Sequence, residues 1–461
     1  MRRPPSLTEG SVSRTLIVFA LPLLAGNILQ SLNGSVNAVW VGKYLGEAAL
    51  TATANAGSVL FLLLGGVFGM SMAATILVGQ YIGSGRHAEA KHVVGSSATF
   101  FAVLSLLIAV VGALTSERLL RAMSTPPDAL PLAIEYMRVI FYAVPPLYMF
   151  AFIMSVLRGA GDSRTPFAFL LLAVVLDIAL NPLLIFGWGP IPALHIAGSA
   201  WATFIANVVS LVALITFLYR TRNPLCLHRD ELAQLKPDPA IIGTLLKKGI
   251  PMGLQMVVIS MGGILMITLV NRFGTDTAAA FGAAWQVWNY VQMPAFAIGM
   301  AVSSMAAQNV GAGSWDRVAR VAKVGVVANF VMTGLLVVVI ELFSRQALGL
   351  FLPAGSPALA IAVHLNLIVA WSFIFFGVSF VLFGVVRATG AVMPPLIILF
   401  VCMILFRYPF ALVLMDAWQA NAIWWSFVLS AILAAGMALA YYKYGGWRKA
   451  RMVPAGRPAV S

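Results

Sequence analysis

Charge is scarce in this chain, and so are the residues most enzymes work with. Only 10% of its 461 residues are Asp, Glu, Lys or Arg, while 61% are hydrophobic. There are two cysteines, Cys226 and Cys402, and five scattered histidines. Cys226 is expected in an inner loop and Cys402 inside an apolar span, so a disulfide is not expected. No His/Cys group has metal-ligand spacing. HExxH, GxSxG with a partner His, and the Walker phosphate loop are all missing. These absences argue against a metalloprotease, a serine hydrolase and an ATP-driven pump made of this chain alone. No second intramembrane Asp joins Asp177, which argues against an intramembrane aspartyl protease. The reading is therefore a non-enzyme without a cofactor.

What the chain has is apolar length. Its mean hydropathy is +0.94, and a helix crosses lipid with about 20 apolar residues. Twelve such stretches run from roughly 16–42 to roughly 420–442. They are continuous, without the dyad alternation of barrel strands, so an all-α polytopic membrane protein is expected. Basic residues orient it. Lys43, Arg118, Arg121, Arg272 and Arg345 fall in outer segments, and nearly all other loop Lys and Arg fall in inner ones. With both termini inside, this is the positive-inside pattern. The net charge of +14 is spread over short loops, which fits anionic lipid headgroups better than nucleic acid. The first apolar run is long and continues into the first span, so a cleavable signal peptide is not expected.

The chain also repeats itself. Pro22 in ALPLLAGNILQ returns as Pro251 in GIPMGLQMVVI, 229 residues on. The segment from Gln80 to Gly85, QYIGSG, returns from Gln308 to Gly313 as QNVGAG. Arg158-Gly-Ala-Gly returns as Arg387-Ala-Thr-Gly. Each copy holds six spans, an even number, so the two repeats are parallel. The expected layout is an N-terminal lobe over 1–225, a linker at 226–242 and a C-terminal lobe over 243–445. A disordered tail over 446–461 completes it.

These repeated pieces carry a resemblance. The chain is similar to the MATE (multidrug and toxic compound extrusion) transporters, and to their DinF-like branch. The match rests on FALPLLAGNILQSLNGSVNAVWVGKYLG, LVGQYIGSGR, LRGAGDSRTP, LNPLLIFGWG and HIAGSAWATFIAN in the first half. In the second half it rests on KKGIPMGLQ, QNVGAGSWDRVARV and RATGAVMPPL. The resemblance implies a cation-coupled antiporter in a cell inner membrane, with two six-helix lobes around a central cleft. Its substrates would be small organic solutes, often lipophilic cations, and it would work as a monomer. A flippase for amphipathic precursors and an uncoupled channel or facilitator are the alternatives.

Asp177 is the strongest site candidate, because ionisable groups within spans are rare and functional by default. A carboxylate there must pair, bind a cation or hold a proton. Asn181 shares its helical face at i+4. The family likeness adds two positions. DinF-like members carry an Asp late in span one, where this chain has Asn37, and Thr203 matches a hydroxyl position in span six. Asn37, Asp177, Asn181 and Thr203 are thus expected to form one polar site. A single carboxylate favours H⁺ over Na⁺ as coupling ion. For a substrate cleft the candidates are Tyr142, Gln255, Met256, Trp285, Asn289 and Arg407, since aromatic, Met and amide side chains re-pack around varied shapes. Arg407 has two readings, a structural cation or a counter-ion for an acidic substrate. Glu135 with Arg138, and Glu341 with Arg345, are expected as local ion pairs. At the repeat offset Asp177 maps onto Phe406 and Asn181 onto Phe410, so the polar site is expected in one half only.

Overall fold

The computed structural model describes residues 7–189, 192–353 and 355–452. The first repeat consists of α1 (Val12–Leu45), α2 (Glu47–Gly83), α3 (His87–Ala122), α4 (Leu130–Gly159), α5 (Arg164–Phe186) and α6 (His195–Arg220). The second begins with α7 (Pro239–Val270), α8 (Thr275–Gly311), α9 (Trp315–Leu342) and the short α10 (Ser344–Gly349). It continues with α11 (Pro357–Val369), α12 (Ser372–Arg387), α13 (Met393–Phe400), α14 (Arg407–Trp418) and α15 (Ala420–Tyr444). A π-helical turn, Val401–Phe406, joins α13 to α14 into one span. Among the described residues eleven helices are long and apolar enough to cross a membrane, or twelve when α11 and α12, bent by 44°, count as one broken span.

The duplication is written into the backbone. Gly46, between α1 and α2, has φ +88°, and Gly274, before α8, has φ +89°. Gly161, after α4, has φ +92°, and Gly390, after α12, has φ +99°. These are left-handed turns that glycine adopts without a Cβ penalty. Helix pairing repeats as well. In the first repeat α4 packs on α2, α3 and α6, and α5 on α6; in the second α12 packs on α8, α9 and α15, and α14 on α15.

The described residues divide into two compact units, one of 7–24 with 250–452 and one of 25–249. The divisions fall inside α1 and α7, close to Pro22 and Pro251. The first unit takes in the start of the chain, where Leu7 and Leu16 are fully buried and the Leu7 carbonyl accepts from Asn309 Nδ2 at 3.1 Å. Within each unit small residues permit close helix approach, which matters where lipid offers no hydrophobic drive. A Cβ on Gly384 would sit 2.7 Å from the Gly299 carbonyl oxygen, and one on Gly249 2.7 Å from Met70 Cα.

Two expectations need correction, and the linker 226–242 has more structure than its composition suggests. Its 3-10 helix Arg229–Leu235 lies on α3, where Lys91 Nζ reaches Glu231 Oε1 at 2.6 Å. Thr99 Oγ1 donates to the Leu235 carbonyl at 2.6 Å, and the Asp238 N–H to Ser96 Oγ at 2.8 Å. Lys91 holds the Glu231 carboxyl down at about 2, helped by the His228 backbone. The tail is ordered through Met452: Trp447 is buried, its carbonyl accepts from Thr389 Oγ1 at 2.8 Å, and Met452 is buried. Residues 453–461 lie outside the described ones. Finally, neither Glu135–Arg138 nor Glu341–Arg345 is an ion pair among the described residues. Glu341 instead accepts from Asn366 Nδ2 at 3.1 Å, and Asn366 Oδ1 accepts from Trp288 Nε1 at 2.9 Å. A tertiary partner has replaced the helical neighbour.

Candidate functional site

Asp177 stands in the middle of α5, 3% exposed. Burying a carboxylate costs several kcal/mol unless it is paired or well hydrogen-bonded. No basic side chain forms an ion pair with it among the described residues. Hydrogen bonds do the work instead. Asn33 Nδ2 donates to Oδ2 at 2.8 Å and Asn37 Nδ2 to the same oxygen at 2.9 Å. Thr203 Oγ1 donates to Oδ1 at 3.0 Å, and Asn181 Nδ2 lies 3.4 Å from Oδ1. Bonds to a charged acceptor contribute about 1.5–3 kcal/mol each, so such a set offsets the burial of the ionised form.

Local sequence explains the convergence. Asn33 and Asn37 are four apart on α1 and share a face, as Asp177 and Asn181 do on α5. Thr203 comes from α6, which packs along α5. Asn181 also bonds back to the Asp177 carbonyl at 2.9 Å and reaches Asn37 Oδ1 at 3.0 Å, tying α5 to α1. All these residues belong to the unit 25–249. The structure thus brings together Asn37, Asp177, Asn181 and Thr203. It adds Asn33, which the sequence reading passed over although its i, i+4 spacing to Asn37 was visible.

Two acceptors in the cluster are unused among the described residues: Asn33 Oδ1 and Asn181 Oδ1 are buried and have no hydrogen-bond partner there. Orphaned buried acceptors are costly, and these two adjoin a group that can gain a proton and become a donor.

The substrate-cleft candidates are divided between the two units. Tyr142 lies on α4, in the unit 25–249, and is 49% exposed, and the other five lie in the unit containing residues 250–452. Gln255 is not open to a cleft. It is 1% exposed, and its Oε1 accepts from Arg387 Nη1 at 2.9 Å. Met256 packs against a core cluster that includes Val258, Phe380 and Met403. Trp285 is half-buried against Gly263 and 5.8 Å from the Phe281 ring. Asn289 is half-buried on α8. Arg407 is buried at the junction of the π-turn and α14. Where the repeat would place a second Asp/Asn pair, Phe406 and Phe410 stack with centroids 5.6 Å apart. No group of three or more metal-ligating side chains occurs among the described residues.

Comparison with known proteins follows the same duplication. The family model described as MatE matches twice, over residues 22–183 and 251–413. The chain is 37% identical over 391 residues to "Probable multidrug resistance protein YoeA" of Bacillus subtilis (strain 168), covering 85% of this chain and 84% of that one. It is 32% identical over 446 residues to "Probable multidrug resistance protein YpnP" of the same organism, covering 96% and 98%. Among solved structures, "Crystal structure of MATE in complex with MaL6" superposes with a TM-score of 0.89 at 20% identity, over 96% of this chain and 98% of that one. That likeness is one of fold.

Proposed function

The chain belongs to the MatE family, and on that footing we propose that it is a proton-coupled antiporter that exports small organic solutes. Two relatives described as probable multidrug resistance proteins support the drug-export part. Lipophilic cations are the proposed main class, with half-buried Trp285, Asn289 and Met256 among the adaptable contacts. The distribution of loop Lys and Arg supports both termini on the inner side of the cell membrane. Both repeats reside in one chain, which supports a monomer as the working unit.

The single observation behind the coupling proposal is the Asp177 network. Every contact to the carboxylate is a donor, so the arrangement suits the ionised form. A proton on Oδ2 would set a hydroxyl against the amide N–H groups of Asn33 and Asn37. One of them must then turn its oxygen inward or withdraw, and unpartnered Asn33 Oδ1 is the acceptor best placed to do so. Protonation thereby rewrites the bonds by which α1 holds α5 and α6. A proton can then bias a two-state element, which is what coupling requires. Sodium fits less well, because three amide groups present nitrogen rather than oxygen to the carboxylate.

The test uses everted membrane vesicles carrying the wild type or Asp177→Asn. Adding ethidium to energised wild-type vesicles should collapse part of the pH gradient, and Asp177→Asn should lose that response while remaining folded in the membrane. Undiminished proton release from the variant contradicts the proposal.

A further inference from the structure

Arg407 is held in an unusual way for a buried cation. It is 6% exposed, yet no carboxylate lies within ion-pair distance among the described residues. Its Nε donates to Ser430 Oγ at 2.8 Å, and its guanidinium carbon stands 4.3 Å from the centroid of the Phe427 ring. Ser430 in turn donates to the Phe427 carbonyl at 3.0 Å. The two terminal nitrogens make no hydrogen bond among the described residues. A purely structural arginine uses those nitrogens on carbonyls or a carboxylate, because an uncompensated buried charge is costly. Here Nε and the ring face position the group and leave the planar fork free, and that fork matches a carboxylate with two parallel bonds.

The surroundings specify more. Arg407 directly follows the π-turn Val401–Phe406, a form of helix found mostly at functional sites. Phe427 belongs to an aromatic cluster, 5.9 Å from Trp288 and 6.1 Å from Phe281, and Phe281 continues it to Trp285. On α7, Gly262 packs on Met403, one turn before Arg407, and Gly263 packs on Trp285. Two adjacent glycines without side chains thus contact Met403 and the half-buried indole of Trp285.

We propose that Arg407 binds the carboxylate of an aromatic organic acid or zwitterion that this protein carries. The inference rests on the transport reading above and extends its substrates beyond cations. The side chain supplies charge and a bidentate fork, Ser430 and Phe427 orient it, and the half-buried indole of Trp285, packed at the edge of the buried aromatic cluster, offers the apolar ring a face. All of these groups lie in the unit containing residues 250–452.

The test is equilibrium binding to the full chain in lipid nanodiscs, read by fluorescence anisotropy. The probes are tetramethylrhodamine, which bears a free carboxylate, and its methyl ester, which does not. In Arg407→Gln the acid should bind about tenfold more weakly while the ester changes by less than about twofold. Arg407→Lys keeps a charge without the fork and should fall between. In the wild type, benzoate should displace the acid and leave the ester bound. This competition needs no variant and decides the matter if Arg407→Gln does not fold. Equal weakening of both probes, an acid affinity indifferent to Arg407, displacement of neither or both probes by benzoate, or failure of the acid to bind the wild type would each overturn the proposal. No ion gradient enters the measurement, so a failure of proton coupling leaves its outcome unchanged.

Discussion

Replacing Asn33 by Ala probes the coupling site without touching its carboxylate. Asn33 Nδ2 donates to Asp177 Oδ2 at 2.8 Å, a bond that exists in this sense only while that oxygen accepts. Its contribution is about 1.5–3 kcal/mol for a charged acceptor, and about 1.4 kcal/mol is a factor of ten in an equilibrium. Losing it should weaken the tie between α1 and α5 by about tenfold or more and slow coupled transport to match. Three donors remain, from Asn37, Asn181 and Thr203. The loss is modest against a total stability of about 5–15 kcal/mol, so the protein should stay folded. The assay is the initial rate of substrate transport by reconstituted protein under one fixed imposed pH gradient. The rate should fall about tenfold while the protein still melts cooperatively in detergent. A rate equal to that of the wild type refutes the reasoning.

Two further predictions concern the scaffold. Glu231 has its carboxyl held at about 2, below the ordinary 4.5, first of all by Lys91. Its contribution is fully present above the ordinary value and is lost as pH falls through about 2. Glu231→Gln should therefore melt about 1–2 °C below wild type at neutral pH, a gap that closes as the medium is acidified from about pH 4.5 towards 2; a gap independent of pH contradicts this. Gly384→Ala would place its Cβ 2.7 Å from the Gly299 carbonyl oxygen where α8 crosses α12. It should cost about 1–3 kcal/mol by overpacking, read as a lower melting temperature in detergent, and an unchanged melt would show that this crossing has slack.

The spans and the repeat were legible because they depend on local composition and on motif spacing, which survive without tertiary information. The matched glycine turns at Gly46 and Gly274 show why the copies keep step. Asp177 with Asn181 was also legible, since one helix face carries both. Asn33 was within reach by the same spacing argument, but the family pattern drew attention to Asn37 alone. Other features depend on partners far away in sequence. Glu341 looked like an i, i+4 partner of Arg345, and Asn366 on α11 took its place. The stretch 226–242 has the composition of a linker, and only Lys91, Ser96 and Thr99 on α3 give its polar groups a reason to dock. Gln255 has the chemistry of a cleft residue, and Arg387 instead occupies it inside the core. The bend between α11 and α12 has no proline to announce it.

The central claim is that proton movement at Asp177 drives export. It is tested most directly by wild-type protein in proteoliposomes, given either an imposed pH gradient without sodium or an imposed sodium gradient at uniform pH, with ethidium accumulation as the readout. The pH gradient alone should drive accumulation, and the sodium gradient alone should not. Accumulation driven by sodium at uniform pH, or equal movement with neither gradient, would contradict the account.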